Sequence, residues 1–180
     1  MVGLVWVGVR DRGIDLELFL DPATWPLELG IGLVAALGLA ALWEVAHREV
    51  PSAQRLSREL ALAVGPIPVN EALALAALSG IGEELFFRGA LQGSIGIWWA
   101  SAIFALLHTG PGRAFRIWTL LAAAAGLALG ALVLWRGNLL AAIVAHASFN
   151  AVGLVRLSRL AGELRAAGLT GGEPERDGGR

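Results

Sequence analysis

The spacing of apolar and charged positions predicts a protein made of membrane-crossing helices. Residues 117–135 and residues 137–155 each form a run without any charged side chain. Each run is close to the roughly 20 apolar residues that a helix needs to cross the bilayer core. Trp118 and Trp135 stand at the two ends of the first run, where aromatic rings favour the membrane interfaces. We therefore interpret both runs as spans.

Three further apolar stretches bring the predicted number of spans to five: residues 27–46, 71–91 and 94–110. Gly93 and Gly96 predict a tight turn between the last two of these stretches. The apolar run at residues 1–9 is too short for a sixth span. The predicted fold class is all-α, a polytopic membrane helix bundle with an interior polar cavity.

The remaining segments divide the chain further. Residues 51–65 have the pattern of an amphipathic surface helix, and two prolines after it break the chain. The polar end of the chain is rich in Gly, Glu and Arg, which predicts disorder. The predicted organisation has three parts: an N-terminal extracytoplasmic segment at 1–26, a transmembrane helical domain at 27–160 with a motif core at 70–155, and a disordered tail at 161–180.

Composition agrees with a membrane protein and excludes several chemistries. Charged residues make up 16% of the chain, against about 25% in a typical soluble domain, and hydrophobic residues make up 56%. The formal net charge of -1 gives no basic field for nucleic acid. The absence of cysteine excludes disulfides, thiolate ligands and a cysteine nucleophile. Every basic residue except histidine is arginine, which hints at a bacterial source.

Arginine placement predicts the orientation. If five spans are present, the loops at 48–70, 111–116 and 156–180 lie on one side and hold ten arginines, whereas the other side holds three. Cytoplasmic loops are enriched in basic residues. We therefore expect a cytoplasmic C-terminus, an N-terminus outside, and a bacterial inner membrane location.

Charged side chains interrupt the apolar pattern at GIGEELFFRG, residues 80–89. Charges at the bilayer centre cost about 2.5–3.5 kcal/mol each on insertion scales, so these side chains should face the bundle interior. Glu84 and Arg88 are four residues apart and can pair along one helix face. Glu83 has no local partner, because phenylalanines occupy the positions three and four residues later. An unpaired carboxylate in apolar surroundings suits a general acid or base.

Two more spans carry polar side chains. His108 ends the sequence FALLH in the third predicted span, and His146 and Asn150 share one helix face in the fifth. Ionisable residues inside membrane segments are functional-site candidates by default.

Structural roles remain open for each of these residues. Glu84 with Arg88 suits a structural ion pair, His108 an interfacial position, and the His146–Asn150 pair a hydrogen bond between helices. Gly126 and Gly130 form a GxxxG pattern that favours close helix packing. A serine nucleophile at Ser79 or Ser94 has no histidine and acid pattern to support it.

The three motifs EELFFR, FALLH and HASFN, in this order on successive spans, resemble the CPBP family of intramembrane proteases. This family includes type II CAAX prenyl endopeptidases and bacteriocin-processing or immunity-related membrane proteins. The resemblance covers roughly residues 70–155 and implies a protease domain.

Catalytic roles follow from the resemblance by position. It implies that Glu83 and His108 activate a water molecule, that His146 and Asn150 stabilise the oxyanion, and that Glu84 and Arg88 shape the site. The family is also described as metalloproteases, which would make Glu83, His108 and His146 the ligands of a divalent metal such as zinc. The zinc signature HExxH is absent, so we favour glutamate chemistry without a metal.

Expected partners are membrane lipid, a hydrophobic or C-terminally lipidated peptide substrate and a second copy of the chain, with no nucleic acid. Two other functions remain open. A proton-coupled transporter would use Glu83, His108 and His146 as a relay, although no inverted repeat is visible. A catalytically inactive scaffold or immunity protein would not need Glu83.

Overall fold

The computed structural model describes residues 22–169, and all regular structure in that part of the chain is helical. The elements in chain order are α1 (Trp25–Glu49), α2 (Pro51–Val64), α3 (Val69–Glu84), a π-helical segment (Leu85–Leu91), α4 (Gln92–Leu107), α5 (Ala114–Arg136) and α6 (Leu140–Ala166). The predicted fold class, an all-α bundle of apolar helices, is confirmed.

Four helical stretches are long and apolar enough to cross a membrane: α1, the continuous stretch Val69–Leu107, α5 and α6. The outward faces carry large apolar side chains, such as Leu78 and Leu120, that are more than 60% exposed. The buried positions are mostly alanine. Small residues inside and large apolar residues outside suit helices that pack closely in lipid. The chain is an integral membrane protein.

The stretch Val69–Leu107 folds back on itself at Gly96. This glycine has φ 83° and ψ 166°, a conformation that L side chains rarely adopt. The rings of Phe87 and Phe104 lie 5.0 Å apart between centroids, whereas a straight helix would separate these positions by about 25 Å. The turn predicted near Gly96 is therefore confirmed. The third predicted span keeps about 16 Å of helix after the bend, roughly half of a bilayer core.

Contacts between helix ends show how the bundle is connected. At one end, Arg136 of α5 reaches the buried Glu28 of α1, with Nη2 2.7 Å from Oε1. At the other end, the hydroxyl of Ser158 on α6 accepts a bond from the Ile67 amide and donates one to the Ile67 carbonyl. Because Ile67 lies two residues before α3, these two hydrogen bonds hold the chain where that helix begins.

The predicted amphipathic helix at 51–65 is present as α2, which lies against α5 and α6. Its buried residues, Ala53, Leu56, Ser57 and Ala61, fall on one face, as amphipathic periodicity requires. The chain leaves α2 through Gly65 at φ 70°.

Two predicted boundaries change. Helix α6 continues to Ala166, so the tail predicted from residue 161 begins inside a helix, where Ala161 is 4% exposed. Packing of Ala161 against the bundle overrides the polar composition there. Helix α1 begins at Trp25, two residues before the predicted span. Most of the predicted segment 1–26 lies outside the described residues.

Candidate active site

The polar residues of α3 and α6 come together because these two helices pack at very close range. A Cβ added to Gly80 would lie 2.8 Å from the backbone nitrogen of Ala147 and 2.9 Å from its Cα. Gly80 therefore permits a backbone contact that any larger residue would prevent. Gly80 lies one turn before the paired acids, and Ala147 lies inside the HASFN motif, so this contact places the two motifs opposite each other.

Glu84 forms the buried centre of the site. Its side chain is 0% exposed, and Oε1 accepts hydrogen bonds from Arg88 Nη1 at 2.8 Å and from His146 Nδ1 at 2.7 Å. Its other oxygen, Oε2, is buried without a hydrogen-bond partner among the described residues. The predicted pair of Glu84 and Arg88 is present, and His146 extends it to a second helix.

Arg88 joins the acid pair to helix α5. Its Nη2 donates to the carbonyl oxygen of Gly126 at 3.2 Å, and its guanidinium carbon lies 4.6 Å from the centre of the Phe104 ring. Both interactions suit a cation that is 4% exposed. The residue lies in the π-helical segment that begins directly after Glu84, and π-helical turns are rare and frequent at functional sites.

Glu83 is placed differently from its neighbour. Its side chain is 32% exposed, and its Oε2 lies 3.9 Å from His146 Nε2, beyond hydrogen-bond distance. That oxygen is itself buried and has no hydrogen-bond partner in the described part of the chain. Glu83 and Glu84 together carry two negative charges, and Arg88 carries one positive charge. A proton on Glu83 or His146 would balance the negative charge that remains.

The ring of Phe104 connects His108 with His146 and the other polar residues of the site. The Nδ1 of His108 lies 2.7 Å from the carbonyl oxygen of Phe104. A carbonyl oxygen can only accept, so Nδ1 carries the proton and Nε2 of the neutral ring is left as the basic nitrogen. Phe104 lies between the two histidines, with its ring centre 4.4 Å from that of His108 and 6.0 Å from that of His146.

Asn150 binds Ser79, for which the sequence supported no role as a nucleophile. Its Nδ2 donates to the hydroxyl oxygen of Ser79 at 3.0 Å. Ser79 and Glu83 are four residues apart on α3, as His146 and Asn150 are on α6. This shared four-residue spacing is the signal in the sequence that connects Ser79 with the site.

The predicted site residues are thus partly brought into contact. Glu84, Arg88 and His146 are joined by hydrogen bonds, and Glu83 lies beside His146. In the described residues His108 makes no hydrogen bond to Glu83, and the two are related through Phe104 and His146. The predicted catalytic roles of these residues stay predictions.

The side chains as placed do not fit a zinc site. Across residues 22–169, no group of three or more His, Cys, Asp or Glu side chains is positioned to hold a metal ion. His146 turns its Nδ1 to Glu84, and its Nε2 lies 3.9 Å from Glu83 Oε2. A tetrahedral zinc site needs ligand distances of about 2.0–2.2 Å to nitrogen and oxygen.

The comparison with known protein families finds a match over the predicted motif core. Residues 65–152 match the model of the Rce1-like family, described as type II CAAX prenyl endopeptidase Rce1-like. This segment is similar to the Rce1-like family. The resemblance derived from the three motifs is confirmed, and the matched residues contain all three.

One curated relative is the uncharacterized protein YpbD of Bacillus subtilis, 41% identical over 80 residues. The alignment covers 43% of this chain and 41% of YpbD, so it spans less than half of that relative's length. No solved structure matches the chain significantly.

Proposed function

We propose that this protein is an intramembrane endopeptidase that hydrolyses peptide bonds in membrane-associated, hydrophobic or C-terminally lipidated peptides. The observation that supports it most is Glu83 Oε2, a buried carboxylate oxygen that has no hydrogen-bond partner in the described residues and lies beside His146. A carboxylate with an unused oxygen next to an imidazole can accept a proton from water. The match to the Rce1-like family makes peptide hydrolysis the favoured chemistry.

In the proposed first step, Glu83 and His108 act as bases on one water molecule. The basic Nε2 of His108 follows from the bond between its Nδ1 and the Phe104 carbonyl. As one proton passes from the water to Glu83, and His108 Nε2 accepts a hydrogen bond from the other O–H, the water oxygen bonds to the peptide carbonyl carbon. The carbonyl π electrons move onto the carbonyl oxygen. The product of this step is a tetrahedral oxyanion.

In the second step, His146 and Asn150 stabilise the oxyanion by donating hydrogen bonds. Asn150 uses one amide N–H for Ser79, which leaves its second N–H for the substrate. Glu84 accepts the Nδ1 hydrogen of His146, so Nε2 is the nitrogen that faces Glu83. His146 donates from Nε2 in its imidazolium form, which carries a hydrogen on both ring nitrogens. The carbon–nitrogen bond then breaks, and the proton taken from water passes to the leaving amine.

This mechanism uses no metal, because the described side chains do not form a ligand cluster. Zinc chemistry through Glu83, His108 and His146 would require these side chains to move together. A chelator separates the two mechanisms, since glutamate chemistry should continue in its presence.

We propose that the protein works in a bacterial inner membrane with its C-terminus in the cytoplasm. The arginine-rich loops predicted this orientation, and α2 follows one of their arginines, Arg48. Substrate and lipid would reach the site from within the membrane, where Glu83 is partly exposed. We also propose that the protein forms a homo-oligomer.

The test measures cleavage by the purified full-length protein in detergent micelles. The probes are a fluorescence-quenched hydrophobic peptide and the same peptide with a C-terminal prenylated cysteine. Glu83→Gln keeps the side-chain shape but removes the base, so we expect activity to fall by at least about 100-fold. The matched control is Glu71→Gln, which changes an exposed glutamate in the first turn of the same helix.

The results separate the candidate functions. Cleavage that Glu83→Gln abolishes and Glu71→Gln leaves intact supports the proposal. Cleavage that a chelator stops and zinc restores favours the metal mechanism. Full activity in Glu83→Gln would refute the role of Glu83. No cleavage of either peptide, with proton uptake into vesicles, would favour the transporter.

A further inference from the structure

Ser79 makes two hydrogen bonds that fix the direction of its hydroxyl. Its oxygen lies 3.2 Å from the carbonyl oxygen of Ala76 and 3.0 Å from Nδ2 of Asn150. The Ala76 carbonyl can only accept, so the hydroxyl hydrogen points to it. The lone pairs of the Ser79 oxygen are therefore available for an N–H of Asn150, and the carboxamide is held by its nitrogen end.

Helix packing keeps Ser79 in reach of Asn150. The neighbouring residue Gly80 contacts the backbone of Ala147, so α3 and α6 have little freedom to slide at this point. One helical turn further along, Glu83 and His146 face each other across the same pair of helices, with Glu83 Oε2 and His146 Nε2 3.9 Å apart. The contact between Ser79 and Asn150 is thus a second polar contact between α3 and α6, one helical turn from the contact between Glu83 and His146.

We propose that Ser79 is a positioning residue that orients the Asn150 carboxamide toward the substrate carbonyl. With one N–H bound to Ser79, rotation about the side-chain bond is restricted and the second N–H keeps one direction. Preorganised donors stabilise an oxyanion without reorganising during the reaction. This inference rests on the proposed peptidase function, because it concerns the oxyanion donor of that reaction.

The kinetic test compares four variants in the peptide-cleavage assay. Ser79→Ala is expected to lower kcat about tenfold with little change in KM, because the donor matters most in the transition state. Ser79→Thr keeps the hydroxyl and should recover most of kcat. Asn150→Ala should lower kcat further. Adding Ser79→Ala to Asn150→Ala should cause no additional loss, since Ser79 acts only through Asn150.

Ser94→Ala is the matched control. Ser94 donates to the Ala90 carbonyl, four residues earlier in the adjoining π-helical segment, at 3.0 Å, much as Ser79 donates to a carbonyl three residues earlier. Its substitution removes the same kind of local bond without touching Asn150, and we expect kcat to stay unchanged. Equal losses of kcat in Ser79→Ala and Ser94→Ala would overturn the proposal. They would indicate that the loss comes from removing the local bond between a serine hydroxyl and a backbone carbonyl.

A second measurement does not depend on activity. The chain has only three asparagines, Asn70, Asn138 and Asn150, so their side-chain amide signals can be assigned by NMR of the full-length protein in micelles. We expect the two Asn150 amide protons to differ in hydrogen exchange, with the bound proton protected. Ser79→Ala should remove this protection, and Ser79→Thr should keep it.

The two measurements separate failure of this inference from failure of the proposed function. Protection that Ser79→Ala does not change, or a double variant that loses kcat multiplicatively, would overturn the role of Ser79 while cleavage by the wild type upheld the function. Protection that Ser79 controls, in a protein that cleaves neither peptide, would refute the peptidase reaction and with it the positioning role.

Discussion

At the scale of single residues, the same Glu–Arg spacing occurs twice in this chain with opposite surroundings. Glu84 and Arg88 form a pair whose side chains are 0% and 2% exposed, whereas Glu44 and Arg48 form one whose side chains are 39% and 71% exposed. Both pairs have an N–O distance of 2.8 Å. Removing one partner from a buried pair leaves a charge without water or a counter-charge. An exposed charge that loses its partner is hydrated instead.

This contrast predicts unequal losses of stability. Arg88→Ala should lower the free energy of unfolding by about 3–5 kcal/mol, and Arg48→Ala by about 0.5 kcal/mol or less. The measurement is unfolding in mixed micelles with increasing denaturing detergent. The double variant Glu84→Gln with Arg88→Met removes both charges and should recover part of the loss. Similar losses in Arg88→Ala and Arg48→Ala would show that burial of the first pair contributes little.

At the scale of helices, glycines decide which elements approach closely enough to share polar groups. On α5, Gly126 and Gly130 accept hydrogen bonds on their carbonyls from Arg88 and Gln92. A Cβ on Gly130 would lie 2.5 Å from the Gln92 side-chain oxygen. The close helix packing predicted from the GxxxG pattern is present, and its partner is α4. The two glycine carbonyls also hold Arg88 and Gln92, the side chains that follow Glu84 at four-residue steps.

The same reasoning gives a prediction for α3, where two glycines differ only in what they face. Gly80→Ala would drive a Cβ against the Ala147 backbone and should destabilise the protein by about 1–3 kcal/mol, with loss of peptidase activity. Gly82 has nothing within 4 Å of an added Cβ, so Gly82→Ala should be neutral or stabilise the helix by up to about 1 kcal/mol. Equal unfolding free energies for the two variants would contradict the close contact between α3 and α6.

At the scale of the whole molecule, the bend at Gly96 and the short helix after it set the membrane depth of His108. The chain reverses at Gly96, and His108 ends a helix of about 16 Å instead of a full span. The hydroxyl of Thr119, in the second turn of α5, donates to the carbonyl of His108. This arrangement keeps His108 inside the bundle, next to Trp118, with their ring centres 5.5 Å apart.

The topology can be tested with single cysteines, because the chain has none of its own. Arg55→Cys lies on the exposed face of α2, and Asn138→Cys lies between α5 and α6 at the opposite end. In intact bacterial cells, a membrane-impermeant maleimide should label the second variant but label the first only after lysis. Labelling in the reverse pattern would invert the proposed orientation.

The sequence by itself determined the helical class, the approximate spans, the surface helix α2 and the resemblance of the motif core to the Rce1-like family. These features depend on local composition and on short spacings along one helix, which the chain expresses directly. The pair of Glu84 and Arg88 belongs here too, because residues four apart on a helix are neighbours in any fold.

Only the tertiary structure decided which helices bring the motifs together. Three contacts join residues on different helices: the bond between His146 and Glu84, the edge contact between the Phe104 and His146 rings, and the bond from Asn150 to Ser79. The close approach at Gly80 that allows two of these contacts depends on which residue of α6 it meets. Such pairings depend on how whole helices pack, and spacing within a single helix carries no information about them.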